Sequence, residues 1–341
     1  MFGRNSEEFG RKNQEEGGIV MKKYRKYLEP EYGEVAPEVQ IPPPQILDLK
    51  SPDKWRKRSN FESLASMTTA YQKCNCYEKI MQVKTEEVWC EFFDQKVRMK
   101  IYMPKADGIY PVMVFYHGGA FSMNNIEVYE YVCRYMSAYG ELIIVSPEYD
   151  LAPEYKFPIG LFEAYEALVW TAENIERYGG NVQNISVCGD SSGGNFATVV
   201  SILSRDRKGP VIKNQILFYP LTTNVEEEIT DSERYYKTGY FLEYNCMDNP
   251  MGVYFNSEEE KSNPLASPLL SEDLSDLPRA CFISAECDPL LDQGLQYAAK
   301  LEDFHVDVEY HIMKGMIHGF LNQTYGKSFE AMNIAIKFIN K

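Results

Sequence analysis

Residues 185–195 decide the fold, and they read Ile-Ser-Val-Cys-Gly-Asp-Ser-Ser-Gly-Gly-Asn. A short apolar run breaks there into small residues and then into a stretch that can form a helix, which predicts a strand, a sharp turn and a helix. Residues 189–193 fit the pattern G-x-S-x-G, in which glycines allow a strained turn that lifts the serine hydroxyl above a sheet. Ser191 is therefore the candidate nucleophile, although so short a pattern also occurs in plain glycine-rich turns.

A serine nucleophile needs a base, and the chain has four histidines: His117, His305, His311 and His318. The turn at G-x-S-x-G is called a nucleophile elbow, and where it occurs in α/β sheets the acid and then the histidine follow the serine along the chain. This order sets His117 aside as the base. An alternating run at 306–312, which follows His305 and contains His311, reads as a strand, so surface or edge roles are expected for both histidines. His318 lies in a glycine-bracketed loop after that strand and is the predicted base.

The third member should be a carboxylate between the serine and the histidine, near a strand end, that orients the imidazole. An apolar strand candidate at 280–285 runs directly into Glu286-Cys287-Asp288-Pro289-Leu290. Asp288 is the predicted acid. Glu286, closer to the strand, and Asp292, in the next predicted helix, remain alternatives, because a lone carboxylate here is more often a turn former or a helix cap.

A second glycine-rich segment, residues 117–121, follows a buried strand candidate and reads His-Gly-Gly-Ala-Phe. Loops of this kind supply backbone N–H groups to a developing oxyanion. The predicted donors are Gly118, Gly119 and Ser192, the last at the N-terminus of the helix that follows the elbow. His117 is expected to brace the loop by hydrogen bonding rather than to transfer protons.

Five motifs in this order resemble those of the bacterial hormone-sensitive-lipase family of carboxylesterases, a branch of the α/β hydrolases. They are residues 117–121, 149–154 (Tyr-Asp-Leu-Ala-Pro-Glu), 189–195, 288–290 and 318–320. The resemblance covers roughly residues 80 to 341 and is far more specific than any single motif. It implies a serine esterase that acts mainly on small-molecule esters with short acyl chains, without a cofactor.

The chain departs from the family pattern at four positions. Ala120 stands where a third glycine is common, and Ser192 stands where alanine is usual. Asp150 replaces a usual arginine, and Leu291 occupies a position that often carries a charge. These departures bear on substrate preference and on local salt bridges rather than on the proposed chemistry.

Outside the motifs, predicted strands alternate with predicted helices, which indicates an α/β fold with a largely parallel sheet after an antiparallel pair at 88–103. The resemblance makes this the α/β-hydrolase fold: a mostly parallel eight-stranded sheet flanked by helices, with a helical cap. Residues 1–80 are predicted to form an N-terminal extension and cap helices, and residues 81–341 the catalytic domain. An aromatic-rich insertion at 221–266 is predicted to contribute to the cap and to a pocket wall.

Composition excludes several classes of partner. The 341-residue chain carries a net charge of −15, which argues against binding a nucleic-acid backbone or an anionic membrane. No apolar run has the length of a signal peptide or a transmembrane helix, so a cytoplasmic location is expected. The pair Cys74-Asn75-Cys76 is too closely spaced for a usual zinc site, so no metal is predicted and reduced thiols are expected.

Three rival functions share the same fold. An amidase, peptidase or deacetylase would use the same residues, and a small-molecule receptor would commonly lose one triad member. A lipase acting on long-chain lipid would be expected to carry an apolar surface helix.

The resemblance also bears on the oligomeric state. In the family the last strand and the C-terminal helix form a common contact surface, so either a monomer or a homodimer is expected.

Overall fold

The structure, a computed structural model, describes residues 33–42, 50–225, 230–242 and 253–341. Eight strands in these residues form one sheet: β1 Lys84–Phe92, β2 Gln95–Met103, β3 Tyr110–Tyr116, β4 Ile143–Pro147, β5 Gly180–Asp190, β6 Asn214–Phe218, β7 Arg279–Cys287 and β8 Val308–Ile317. Their order across the sheet is β1-β2-β4-β3-β5-β6-β7-β8. β2 pairs antiparallel with β1 and with β4, and every other pair is parallel. The predicted mostly parallel, eight-stranded sheet is confirmed.

The helices of the described residues connect these strands and cover the sheet. They are α1 Pro52–Tyr71, α2 Tyr77–Ile80, α3 Glu130–Gly140, α4 Ile159–Asn174, α5 Ser192–Asp206, α6 Asp231–Tyr236, α7 Glu258–Lys261, α8 Leu291–Asp303 and α9 Gly326–Ile339. None of these helices combines the length and the apolar character needed to cross a membrane.

Both faces of the sheet are buried, as expected for parallel strands joined by helical crossovers. Side chains of β3 show the alternation: Val112 and Val114 belong to one core cluster, and Met113 and Phe115 to the other. The first cluster includes apolar residues of α4, α5 and α8. The second includes residues of α3 and α9, together with Tyr71 at the end of α1.

The predicted extension and insertion are described in part. Pro52, compatible with a first helical turn, begins α1, whose residues Met67 and Tyr71 are buried. α6 and α7 lie within the insertion at 221–266. Residues 1–32 and 43–49 of the predicted extension, and 226–229 and 243–252 of the insertion, lie outside the described residues. The division into an extension, a catalytic domain and a cap stays a prediction.

Parallel pairing brings the candidate residues to one edge of the sheet. β3, β5, β7 and β8 run in the same direction, so the loops at their carboxyl ends share that edge. In open α/β sheets, ligands bind at the carboxyl ends of the strands.

Candidate active site

Ser191 stands at a strained turn between β5 and α5. Its backbone has φ 54° and ψ −120°, a conformation that non-glycine residues rarely adopt. The turn is held because the Ser191 N–H donates to the carbonyl of Phe218 at 3.0 Å. A Cβ on Gly189 would collide with the carbonyl oxygen of Gly193, and a Cβ on Gly193 with that of Tyr116. Both outer residues of G-x-S-x-G must therefore be glycine for the chain to turn so tightly.

The three predicted side chains come together in the structure. His318, the first residue after β8, places Nε2 2.9 Å from the Oγ of Ser191. Its Nδ1 lies 2.7 Å from Oδ2 of Asp288, the first residue after β7. The other oxygen of Asp288 accepts the N–H of Leu290 at 2.8 Å. Asp288 is 1% exposed and His318 5% exposed, so this hydrogen-bonded chain is shielded from water and electrostatically strong.

The alternatives considered from the sequence lie elsewhere. Glu286 is inside β7, Asp292 is in α8, and His311 is inside β8. His305 precedes β8 in a turn with φ 62°. Asp292 is buried and accepts the N–H of Ser232 at 2.8 Å, so it binds α6 to α8.

The amide of Gly118 is already engaged. Its N–H donates to Oδ1 of Asp190 at 2.7 Å and lies 3.2 Å from the hydroxyl oxygen of Tyr129. The prediction that Gly118 donates to the oxyanion is wrong, because the buried carboxylate beside the nucleophile takes this hydrogen. The sequence could not separate the two neighbouring glycines, since both fit a loop that supplies donors.

Three other amides near the elbow have no protein acceptor among the described residues: those of Gly119, Ala120 and Ser192. Gly119 has φ 135°, and a Cβ there would collide with the carbonyl of Met123. Ala120 has φ 51°, a left-handed conformation. Ser192 is the first residue of α5, where backbone N–H groups have no partner within the helix.

Asp190 lies in the candidate site, although no sequence motif singles out its side chain. Besides the Gly118 bond, its Oδ2 accepts from the hydroxyl of Tyr129 at 2.8 Å and from that of Tyr219 at 3.4 Å. Burial raises the pKa of Asp190 from 3.8 to about 6, and the bonds from Tyr129 and Gly118 oppose that rise. The Tyr219 ring centroid lies 4.7 Å from that of His318. Asp190 thus connects the glycine-rich loop at residues 117–122, called the oxyanion loop here after the role predicted for it, to His318. The connection runs through Tyr129 and Tyr219, which no sequence motif marks.

His117 braces its loop, as expected. Its Nδ1 lies 2.9 Å from the carbonyl oxygen of Gly118. The ring stacks on Tyr149 with centroids 4.3 Å apart, and the Tyr149 hydroxyl donates to the His117 carbonyl. Burial lowers the pKa of His117 to about 4, so the ring is neutral near pH 7.

The first helix contacts the oxyanion loop directly. Arg56 of α1 donates to the carbonyl oxygens of Ser122 at 3.1 Å and Ala152 at 3.0 Å, and pairs with Glu154 at 2.5 Å. A cavity of about 370 Å³ lies beside this contact, between α1 and the loops at 124–127 and 148–151.

The insertion reaches the residue beside the histidine. A Cβ on Gly319 would lie 3.0 Å from the ring of Phe241, so this aromatic side chain packs directly over the His318 loop.

This geometry can be compared with known proteins. A family model described as the alpha/beta hydrolase fold matches residues 113–322. The chain belongs to the hormone-sensitive-lipase-like family of α/β hydrolases. This hydrolase is 34% identical over 240 residues to the arylesterase of Saccharolobus solfataricus, a match that covers 70% of this chain and 77% of that protein. It is 33% identical over 231 residues to the carboxylesterase NlhH of Mycobacterium tuberculosis, covering 66% and 72%.

Solved structures of esterases have the same fold as this hydrolase. The thermostable carboxylesterase EstE1, cloned from a metagenomic library, superposes on the hydrolase with a TM-score of 0.79 at 33% identity, covering 86% of this chain and 98% of that one. An esterase of Pyrobaculum calidifontis gives 0.77 at 32% identity, covering 86% and 92%. The family resemblance seen in the motifs is confirmed.

Proposed function

We propose that this carboxylic ester hydrolase cleaves small esters with short acyl chains through an acyl-enzyme on Ser191. One observation carries the proposal: Ser191 Oγ, His318 Nε2, His318 Nδ1 and Asp288 Oδ2 form a continuous chain with steps of 2.9 and 2.7 Å. A nucleophile bonded to a base that is itself oriented by a buried carboxylate is the arrangement that activates a serine.

The first half of the reaction transfers the acyl group. The Oγ of Ser191 attacks the ester carbonyl carbon while Nε2 of His318 takes the hydroxyl proton, and Asp288 stabilises the imidazolium. The imidazolium then gives its proton to the leaving alcohol as the ester C–O bond breaks. A water molecule, deprotonated by the same histidine, attacks the acyl-serine and regenerates the hydroxyl.

Backbone amides stabilise the oxyanion in both halves. The donors in this proposal are the N–H groups of Gly119, Ala120 and Ser192. Ala120 replaces the expected Gly118, whose N–H is bound by Asp190 at 2.7 Å. Preorganised donors of this kind contribute about 3–4 kcal/mol each to the transition state.

The preference for short chains rests on the walls near the histidine. We assign α1 and the insertion at 221–266 to a cap over the sheet edge, because Arg56 contacts the oxyanion loop and Phe241 packs on Gly319. An aromatic ring so close to the base limits the room for a bulky acyl or alcohol group. No cofactor is part of this mechanism.

A cytoplasmic location and a homodimer belong to the same proposal. Seven cysteines in the described residues carry free thiols, which is typical of proteins in a reducing compartment. β8 is an edge strand, and its backbone offers a pairing surface to a second copy. Cell fractionation tests the location, and light scattering during size exclusion tests the dimer.

The test of the function is Ser191→Ala, assayed with p-nitrophenyl butyrate and with the matched anilide. We expect the variant to lose about a thousandfold or more in kcat. Ser201→Ala is the matched control, because among the described residues the Ser201 hydroxyl bonds only to the Ala197 carbonyl within α5. Wild-type-like hydrolysis by Ser191→Ala would rule out the nucleophile, and faster cleavage of the anilide than of the ester would make the enzyme an amidase.

A further inference from the structure

A bulge interrupts the pairing of β7 and β8 just before the two strands deliver Asp288 and His318. The parallel register runs as far as Ala285 opposite Met313 and resumes with Cys287 opposite Ile317. One residue of β7 therefore faces residues 314–316 of β8. Bulges near active sites re-aim the side chains that follow them.

Glu286 is the residue of β7 that faces the bulge. Its Oε2 accepts the N–H of Gly315 at 2.7 Å, and its Oε1 accepts from Nζ of Lys314 at 2.8 Å. Gly315 has φ 70°, so the bulge requires a left-handed residue at its centre. The Glu286 side chain is 13% exposed, whereas that of Lys314 is 47% exposed. The bond to the Gly315 amide is thus the sheltered one of the two.

Residues 33–42, called the strap here, hold the same bulge from the other side. The N–H of Ala36 donates to the carbonyl of Gly315 at 2.9 Å. The carbonyl of Gly33 accepts from the hydroxyl of Tyr236 at 3.0 Å and from the thiol of Cys287 at 3.4 Å. The strap therefore contacts β7 directly before Asp288 and β8 three residues before His318.

The far end of the strap is fastened as well. The Tyr325 hydroxyl oxygen lies 3.1 Å from the N–H of Gln40 and 3.3 Å from its carbonyl oxygen. Val39 is buried in the core cluster that contains Ile317 and Phe320. The strap is thus bonded on both sides of the bulge and packed between its bonds.

We propose that Glu286 is a positioning residue for the catalytic histidine. With the strap, it fixes both polar groups of Gly315, and the fixed bulge aims His318 so that Nε2 reaches Ser191 while Nδ1 stays on Asp288. This inference rests on the proposed function, because it concerns the histidine assigned there as the base. The positioning role of Glu286 does not require its negative charge, since the amide of Gly315 needs only an oxygen acceptor.

The test compares kcat and KM for p-nitrophenyl butyrate in Glu286→Ala and Glu286→Gln. Glu286→Ala should lower kcat by about ten- to a hundredfold with KM changed by less than about twofold, because the histidine loses its aim while the pocket remains. Glu286→Gln should recover most of kcat, since its amide oxygen still accepts from Gly315. Lys314→Ala, which removes only the exposed partner, is the matched control and should stay within about twofold of wild type.

A double-mutant cycle tests the shared bulge. Tyr325→Phe frees the strap at Gln40 and should lower kcat by about two- to fivefold, and its effect should vanish in the Glu286→Ala background. Additive effects would overturn a common action on the bulge. The proposal also fails if folded Glu286→Ala keeps kcat within about twofold of wild type, or if Glu286→Gln is as impaired as Glu286→Ala.

Ser191→Ala separates this inference from the proposed function. Loss of activity in Ser191→Ala beside an unaffected Glu286→Ala would overturn the positioning role alone. Retained activity in Ser191→Ala would overturn the proposed function itself.

Discussion

Replacing Asp190 by asparagine should separate activity from stability. The carboxylate accepts from Gly118 N–H at 2.7 Å and from the Tyr129 hydroxyl at 2.8 Å, so both neighbours are donors. An amide of the same shape offers one oxygen and one NH₂, and one of the two donors loses its acceptor. Hydrogen bonds to a charged group contribute about 1.5–3 kcal/mol, and losing one lets the oxyanion loop shift away from its catalytic position. The same energy in the activation barrier lowers kcat by about ten- to a hundredfold, which is the decrease we expect.

Although kcat should fall, the stability of Asp190→Asn relative to wild type should increase as the pH rises. Because burial raises the pKa of Asp190 from 3.8 to about 6, the folded state binds this proton more tightly than the unfolded state. The contribution of the residue to stability is therefore fully present below pH 3.8 and is lost as the pH rises to about 6. The whole loss amounts to about 3 kcal/mol, and asparagine, which does not ionise, avoids it.

The assay is urea unfolding of wild type and Asp190→Asn across this pH range, beside kcat at the pH optimum. The stability of the variant relative to wild type should rise by about 2 kcal/mol between pH 4 and pH 7, while kcat falls. Asp206→Asn, an exposed carboxylate at the end of α5, controls for the change of charge. A flat stability difference, or a kcat equal to wild type, would refute the reasoning.

Three further changes have defined outcomes. Gly193→Ala should lower kcat by about a hundredfold or more in a protein that remains folded by circular dichroism, because its Cβ meets the Tyr116 carbonyl. Phe241→Ala should raise kcat/KM for bulky esters relative to the acetate in a p-nitrophenyl series, and an unchanged ratio would place the ring outside the pocket. Burial raises the pKa of Glu163, so wild type should lose stability as the pH rises above 4.5, and Glu163→Gln should lose less when melting temperatures are compared from acid to alkaline pH.

The motifs predicted the elements that surround them because each motif is tied to a strand end. The G-x-S-x-G segment requires a strand before it and a helix after it, and β5 ends at Asp190 while α5 begins at Ser192, directly on either side of Ser191. The pattern does not indicate that β5 begins as early as Gly180. Chain order then selected Asp288 and His318 from several carboxylates and histidines. Order is informative because parallel strands must deliver these residues to one edge.

The hydrogen-bond partner of each polar group could not be predicted from the sequence. Gly118 and Gly119 are identical neighbouring residues in the sequence, so no pattern distinguishes their roles. In the structure the Gly118 amide donates to Asp190, whereas the Gly119 amide has no acceptor among the described residues. From its sequence position Glu286 is an alternative catalytic acid, and only the register of β7 against β8 shows that it faces Gly315 instead. Such assignments depend on tertiary contacts between residues far apart in the chain, such as Asp190 with Tyr129, which no local pattern encodes.

Mass spectrometry of the protein after reaction with an organophosphonate tests the central claim most directly, because the reagent labels a serine only when a base and an oxyanion site activate it. The account predicts a single adduct on the peptide that contains Ser191, and none in Ser191→Ala or after denaturation. An adduct on another residue, or undiminished labelling of Ser191→Ala, would contradict it.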